Sequence, residues 1–375
     1  MTLQQQTQTC ADTVRVRYED LHACVRELFT ERGIPPRRAH TAASALCHGD
    51  LQGFDSHGVF NLSRLYLPLF ASGRVDPAAE PEIITDTGAC AVVDSRRALG
   101  LWSAAEAMDT AIQRAGQHGI GLVSIRDATH FGCAGYHAAR AAEQGMVGIV
   151  ASNCGGQRIA RPPLGALTML GTNPLAVAAP ALTDHPFVLD MSTTVVPTGK
   201  VRTAASRGET IPPGWLTDEA GNPVTDPTAF DRGLAHLGWL GGSPETGAYK
   251  GYGLGLVVEL LAALLPGANL GPAPAALQGD GGPHGRDDGI GFFVLAIAPD
   301  LLRPDGSFGA DAHTMFDSLA SCPPAAPGDL VRYPGWWEAE RAFEHHHRGV
   351  PIPVHLHREL LELGLPDTRP AGDDQ

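Results

Sequence analysis

The chain has 375 residues and a mass of 39.4 kDa, enough for two domains or one large one with a proper core. Hydrophobic residues make up 43%, which excludes a disordered or fibrous chain, while 45 Gly and 30 Pro imply many turns. A formal charge of −14 argues against a polyanionic partner, whether nucleic acid or an anionic membrane face.

The opening stretch, Met1 to Thr9, is rich in Gln and Thr and lacks the basic-then-apolar layout of a signal peptide. Residues 18–50 predict two amphipathic helices around a break at Gly33-Ile34-Pro35-Pro36, with Leu21, Cys24, Val25 and Leu28 on one stripe. A third helix is predicted from Val59 to Phe70, with Asp55 or Ser56 available as N-cap. Residues 82–94 carry two short strand patterns split by Asp86-Thr87-Gly88. A long helix over 99–117, a strand from Ile120 to Ile125, a helix over 133–144 and a strand from Met146 to Ser152 follow.

From 153 to 250 the pattern becomes turn-rich, with short strands at Leu175–Ala179 and Phe187–Leu189. The longest apolar stretch, Gly253 to Leu265, carries Glu259 and is closed by Pro266. At about 13 residues it is too short to span a bilayer and predicts a buried helix. A Gly/Pro/Asp-rich segment, 267–289, reads as a mobile loop before an apolar strand at 290–298, and 335–365 returns to helix and loop. The seven cysteines are scattered and form no CxxC pair, as expected of reduced thiols in a cytoplasmic protein.

Neither phosphate-cradling fingerprint is present: there is no strict GxGxxG, and Gly199-Lys200 is followed by Val201. The densest polar cluster is Thr129-His130-Phe131-Gly132, before a predicted helix start. Unsatisfied N–H groups there disfavour imidazolium, which suits a neutral acid/base group beside an anion; a capping or packing histidine is the plainer alternative. Asp55-Ser56-His57-Gly58 is a second cluster, and adjacent Ser and His side chains are not expected to face each other as a hydrolase pair. Gly171-Thr172-Asn173-Pro174 reads alone as a turn, and Asp190-Met191-Ser192-Thr193-Thr194 places a carboxylate and hydroxyls at a strand end. Lys250-Gly251-Tyr252-Gly253 sets a lysine at a helix start, suited to phosphate or ribose. Of the 27 basic residues only Lys200 and Lys250 are lysines, through genome drift or through a need for an ammonium at those points. His345-His346-His347 with His355 and His357 have no ligand spacing, so no metal is expected; a Cys133/His130 thiol nucleophile is weighed against the commoner buried thiol.

Nine segments in order resemble the malate/L-lactate dehydrogenase superfamily that lacks a Rossmann fold, a group with ureidoglycolate and sulfolactate dehydrogenases, diketogulonate reductase and piperideine/pyrroline-2-carboxylate reductase. They are DSHGV (55–59), THFGCAGYHAARAAEQGMVGI (129–149), SN (152–153), LGTNPLAVAAP (170–180), LDMSTT (189–194), GK (199–200), IPPGWLTDEAGNPVTDP (211–227), LGGSPETGAYKGYGL (240–254) and YPG (333–335). The resemblance implies an α/β (α+β) fold. A helical, substrate-binding and dimerisation domain would comprise 1–118 with 320–375, and an NAD(P)-binding domain with a mostly antiparallel sheet would comprise 119–319.

It further implies an NAD- or NADP-dependent homodimer that interconverts a small 2-oxo acid and 2-hydroxy acid. His130 matches the proton donor/acceptor and His57 a histidine lining the substrate site. Asn153, Cys154, Gly171, Thr172, Asn173, Asp190, Met191, Ser192, Lys250 and Gly335 fall at cofactor-contacting positions, and Ser56 at the substrate. The substrate half is altered, and the cofactor half carries local changes. The family's carboxylate-holding Arg falls on Asn61 and an aromatic four residues later on Leu65; Arg64, one turn beyond Asn61, is the candidate replacement cation. Tyr249 stands where His is common, and Trp336 follows Pro334-Gly335 in place of Glu. The rival expectations are cyclic-imine reduction to an amino acid such as pipecolate or proline, and a cofactor- or metabolite-binding homologue without turnover.

Overall fold

A computed structural model describes residues 13–54, 56–243 and 245–367. In chain order, β1 (Thr13–Val16) leads into α1 (Tyr18–Glu31) and α2 (Pro36–Gln52), then a π-helical turn (Leu62–Tyr66) continuing as α3 (Leu67–Ala71). The strands β2 (Glu82–Asp86) and β3 (Cys90–Asp94) precede α4 (Gly100–His118), β4 (Ile120–Ala128), α5 (Ala134–Ala142) and β5 (Val147–Ser152). The middle holds β6 (Leu175–Leu182), β7 (His185–Met191), α6 (Thr198–Arg207), β8 (Leu216–Thr217), β9 (Pro223–Val224), α7 (Thr228–Asp231) and β10 (His236–Leu237). Then come α8 (Ala248–Val258) with a second π turn (Glu259–Leu264), a 3-10 turn (Pro274–Gln278), β11 (Ile290–Ile297), α9 (Pro299–Leu302), α10 (Phe308–Ala320), α11 (Trp336–Arg348), β12 (Val350–Pro353) and α12 (Val354–Glu362).

The helices start and stop for local reasons. Pro36 occupies the first turn of α2, where its missing N–H costs nothing, and Gly53 ends that helix at φ +78°. Leu21, Cys24, Val25 and Leu28 are buried on one side of α1, as their spacing predicts. They join a helical core with Phe29, Leu46, Tyr66 and Trp102 that also takes Val350, Ile352, Leu356 and Leu360 from the far end of the chain. The two ends are tied by antiparallel pairing of β1 with β12. Sequence reasoning missed this pair because each strand is four residues long, too short for a periodic signal.

A second core lies against a seven-stranded sheet of order β2-β3-β4-β11-β5-β6-β7. Of its six pairings only β3–β4 is parallel; the other five are antiparallel. Helix α4 sits so close to β4 that a Cβ on Gly121 would fall on the backbone around Ala111. A small three-stranded sheet, β10-β8-β9, sits over a third cluster around Val201, Leu216 and Phe230. The segment 267–289, expected to be a loose loop, is tied at both ends: Arg158 and His284 exchange backbone hydrogen bonds, and the Asn269 side chain donates to the Asp288 carbonyl. Among the described residues no helix is long and apolar enough to cross a membrane.

Candidate active site

His130 lies in the turn between β4 and α5. The turn is pinned by Thr129, whose Oγ1 accepts from the Gly100 N–H (3.0 Å) and donates to the Ala98 carbonyl (3.2 Å). His130 Nδ1 receives the Gly132 N–H at 3.1 Å and faces Tyr66 Oη at 2.9 Å. A backbone N–H can only donate, so it favours the neutral tautomer with the proton on Nε2. Burial pushes the His130 pKa below its usual value, while the Asp287 carboxylate opposes that shift. Asp287 is itself held by Arg74, which also pairs with Asp288.

The His57 ring stacks on His130 with centroids 5.9 Å apart. Burial, aided by His130, pushes its pKa down to about 4, so both imidazoles are neutral near pH 7. The turn carrying His57 is set by the buried Asp50, whose carboxylate accepts the Val59 N–H at 2.8 Å. Ser56 and His57, expected to point apart, meet at 2.9 Å between Oγ and Nδ1 because the turn folds both side chains to one side. That contact engages Nδ1, the nitrogen that a hydrolase triad gives to its carboxylate, so it is not the geometry of a hydrolase pair. Asp55 lies outside the described residues.

The substrate-side departures acquire a structural meaning here. Asn61 donates from Nδ2 to the Ser56 carbonyl (2.7 Å), holding the turn. Arg64 is exposed, with its guanidinium over the Phe60 ring at 3.7 Å and donating a hydrogen bond to the Phe60 carbonyl. The family's aromatic position falls on Leu65, and the next residue, Tyr66, faces His130. In the π turn the Leu67 N–H reaches back to the Leu62 carbonyl, one residue further than in an α-helix, and this brings the fully buried Tyr66 onto His130. Leu65 instead packs against the helical core.

The residues expected at the cofactor are brought together by backbone stitching. The Thr193 N–H donates to the Thr172 carbonyl, the Leu240 N–H to the Thr193 carbonyl, and the Gly251 N–H to the Leu240 carbonyl. These bonds join the 171–173 turn, the end of β7 and the start of α8. Cys154 faces Thr172 Oγ1 at 3.7 Å and fills the space a Cβ on Gly171 would need. Asp190 accepts the Gly135 N–H at 2.7 Å at the N-terminus of α5, where burial pushes its pKa up to about 6. Met191 pairs with Leu175, and Ser192 donates to the Thr194 carbonyl. Gly335, at φ +98°, lies against the β7 backbone, and the adjacent Pro334 carbonyl accepts the Val188 N–H.

Lys250 is exposed at the start of α8, with the Tyr249 ring 5.9 Å from Nζ and no ion pair among the described residues. An unpaired ammonium at a helix N-terminus, next to glycines and the Asp190–Thr194 segment, suits a phosphate-bearing dinucleotide.

Two of the expected contacts are buried instead. Asn153 accepts the Gly155 and Gly291 N–H groups on Oδ1 and donates to the Asn269 carbonyl. Asn173 donates to the Gly255 carbonyl and to Glu259, which also receives Asn153. Glu259 was visible in sequence only as the one carboxylate of an apolar run. In the fold it is a buried knot between three segments. Cys133 is buried, and burial pushes its thiol well above the usual range, the opposite of what a nucleophile needs. His345 faces the Asp50 and Leu51 carbonyls, and among the described residues no metal-ligating group of three assembles.

A model of the family described as "Malate/L-lactate dehydrogenase" matches residues 16–361. The malate dehydrogenase of Pyrococcus horikoshii is 39% identical over 350 residues, 93% of each chain. The structure superposes on malate dehydrogenase from Entamoeba histolytica with a TM-score of 0.85 at 28% identity, covering 94% of this chain and 97% of that one. It also superposes on a delta1-piperideine-2-carboxylate reductase from Pseudomonas syringae (TM-score 0.77, 27% identity, 93% and 99% covered).

Proposed function

The chain belongs to the malate/L-lactate dehydrogenase family and is an oxidoreductase, and from that premise we propose that it reduces a small 2-oxo acid to the 2-hydroxy acid, and the reverse, with NADH or NADPH. The observation that carries this reading is the stacked His57–His130 pair, and it is supported by Lys250, which has no ion pair among the described residues, on a stitched backbone cradle. A nicotinamide cofactor, when bound, supplies or accepts the hydride at the substrate's C2. Lys250, Asp190, Met191, Ser192, Cys154, Thr172 and Gly335 are the residues assigned to hold it. Asn153 and Asn173 are assigned to that site through the loops they fasten.

His130 handles the proton. In the reducing direction it delivers a proton from Nε2 to the developing alkoxide, and a buried imidazolium gives up its proton readily. In the oxidising direction Nε2, left bare in the tautomer that carries its hydrogen on Nδ1, takes the hydroxyl proton back. His57, neutral, donates a hydrogen bond without adding charge, and Ser56 fixes its ring. Arg64 is the cation assigned to the substrate carboxylate, while Asn61 secures the turn.

The proposed division is 1–118 with 320–375 for substrate and dimerisation and 119–319 for cofactor, in a cytoplasmic homodimer. A second reading, cyclic-imine reduction, has the likeness to the Pseudomonas syringae reductase in its favour. An NADH and NADPH oxidation screen over 2-oxo acids and cyclic imines, with and without ammonia or methylamine, tests both. Turnover of a 2-oxo acid is the expected result. Faster turnover of C=N substrates selects the second reading, and cofactor binding without any turnover sinks both.

A further inference from the structure

Two groups meet His130 Nδ1, and they make opposite demands on it. The Gly132 N–H at 3.1 Å can only donate and so wants Nδ1 bare. Tyr66 Oη at 2.9 Å can donate to a bare Nδ1 or accept from a protonated one. Tyr66 is fully buried, and burial pushes its own pKa well above the usual value, so it keeps its hydroxyl proton at any working pH. Among the described residues no other group at Nδ1 can accept a proton.

We infer that Tyr66, brought to His130 by the π turn Leu62–Tyr66, is the positioning residue that lets His130 become imidazolium: its hydroxyl rotates from donor to acceptor as Nδ1 gains its hydrogen. The inference rests on the reading of His130 as the proton carrier. In oxidation the base is the neutral tautomer with its hydrogen on Nδ1 and Nε2 bare, reached from the resting tautomer by proton exchange with water: the substrate O–H bond breaks, an Nε2–H bond forms, and the C2 hydride leaves to the oxidised nicotinamide. The Nδ1–H, present in that tautomer and in the cation, is received by Tyr66 Oη. Without Tyr66 the cation's Nδ1–H would face only the Gly132 donor in a buried site. The other titratable groups facing His130 are His57 and, more remotely, Asp287 held by Arg74; Cys133 faces Tyr66. None of these is hydrogen-bonded to Nδ1.

The test uses the protein without substrate or cofactor. In 15N-histidine-labelled protein, His130 is assigned among the 16 histidines by comparison with His130→Gln. Tyr66→Phe is expected to lower the midpoint of its titration by about one pH unit or more, the size of a lost charge-assisted hydrogen bond, while the neutral form stays protonated on Nε2. In the native protein labelled with 13C-tyrosine, the Tyr66 Cζ resonance is expected to titrate with His130, a readout that needs no variant. Leu65→Ala serves as the packing control and is expected to leave the midpoint in place. In turnover, Tyr66→Phe is expected to lower kcat about tenfold with KM nearly unchanged, since Tyr66 acts through His130.

An unmoved His130 midpoint in Tyr66→Phe, or a Tyr66 Cζ resonance blind to the His130 titration, overturns the inference. Full turnover by His130→Ala would instead overturn the functional reading while leaving both resonances to be judged on their own.

Discussion

The two halves of the candidate site are held by different means. Around His57 and His130 the geometry is made by side chains: Asp50 on a backbone N–H, Asn61 on a carbonyl, Ser56 on His57, Tyr66 on His130. Around Lys250 it is made by backbone hydrogen bonds linking residues 172, 193, 240 and 251, with Asn153, Asn173 and Glu259 knotted beneath. A half built from side chains can change its residues by shifting register, as the π turn does. A half built from backbone tolerates different side chains in the same cradle. Departures from the family pattern fall on both halves, Asn61 and Leu65 on the first and Tyr249 and Trp336 on the second.

The comparison is broken most directly at His130. His130→Ala is expected to lower kcat/KM by roughly 10²–10⁴, with NADH or NADPH affinity by fluorescence quenching unchanged. Equal loss of cofactor affinity would mean that the halves are not separable. Lys250→Ala is expected to do the converse, raising the cofactor Kd by about 10- to 100-fold, the worth of a charged hydrogen bond, without moving the His130 titration.

Acid separates the halves by stability. His57 and His48 are pushed down to about 4 and His137 to about 3, each from 6.5. The folded protein therefore prefers these groups neutral, and the unfolded chain binds more protons below pH 6.5. Their contribution to stability is complete above that value and is lost as pH falls toward 4. For the fully buried His137 the slope is about 1.4 kcal/mol per pH unit. Urea midpoints at pH 7 and pH 5 check this, and an unchanged midpoint would refute it. Arg64→Ala is the smallest test: KM for a 2-oxo acid should rise severalfold, and no change would remove Arg64 from the carboxylate.

Much of this organisation is legible in the chain. Apolar periodicity locates α1, α2, α4 and α8, and turn residues separate β2 from β3. His130 stands out because a histidine beside a helix start is chemically unusual, and Lys250 because the chain has so little lysine. Helix α10, over Phe308–Ala320, was missed because its exposed face carries Met315 and Leu319 and so blurs the polar side of the pattern. Tyr66 was missed for a sharper reason: counting four residues along a regular helix selects Leu65, and nothing in LSRLY announces a π turn. The Arg74–Asp287 pair joins residues more than two hundred positions apart, beyond any local signal.

The sequence by itself determined most of the longer helices and strands, the absence of a glycine-rich fingerprint, and which histidine and lysine to suspect. These follow from spacing and residue chemistry, which are local. The tertiary structure alone decided that Asn153 and Asn173 face inward, that Ser56 turns onto His57, and that Tyr66 reaches His130. The inward-facing asparagines depend on partners far along the chain, Tyr66 on one extra residue in a turn, and Ser56 on how the turn is folded; such choices are made by packing.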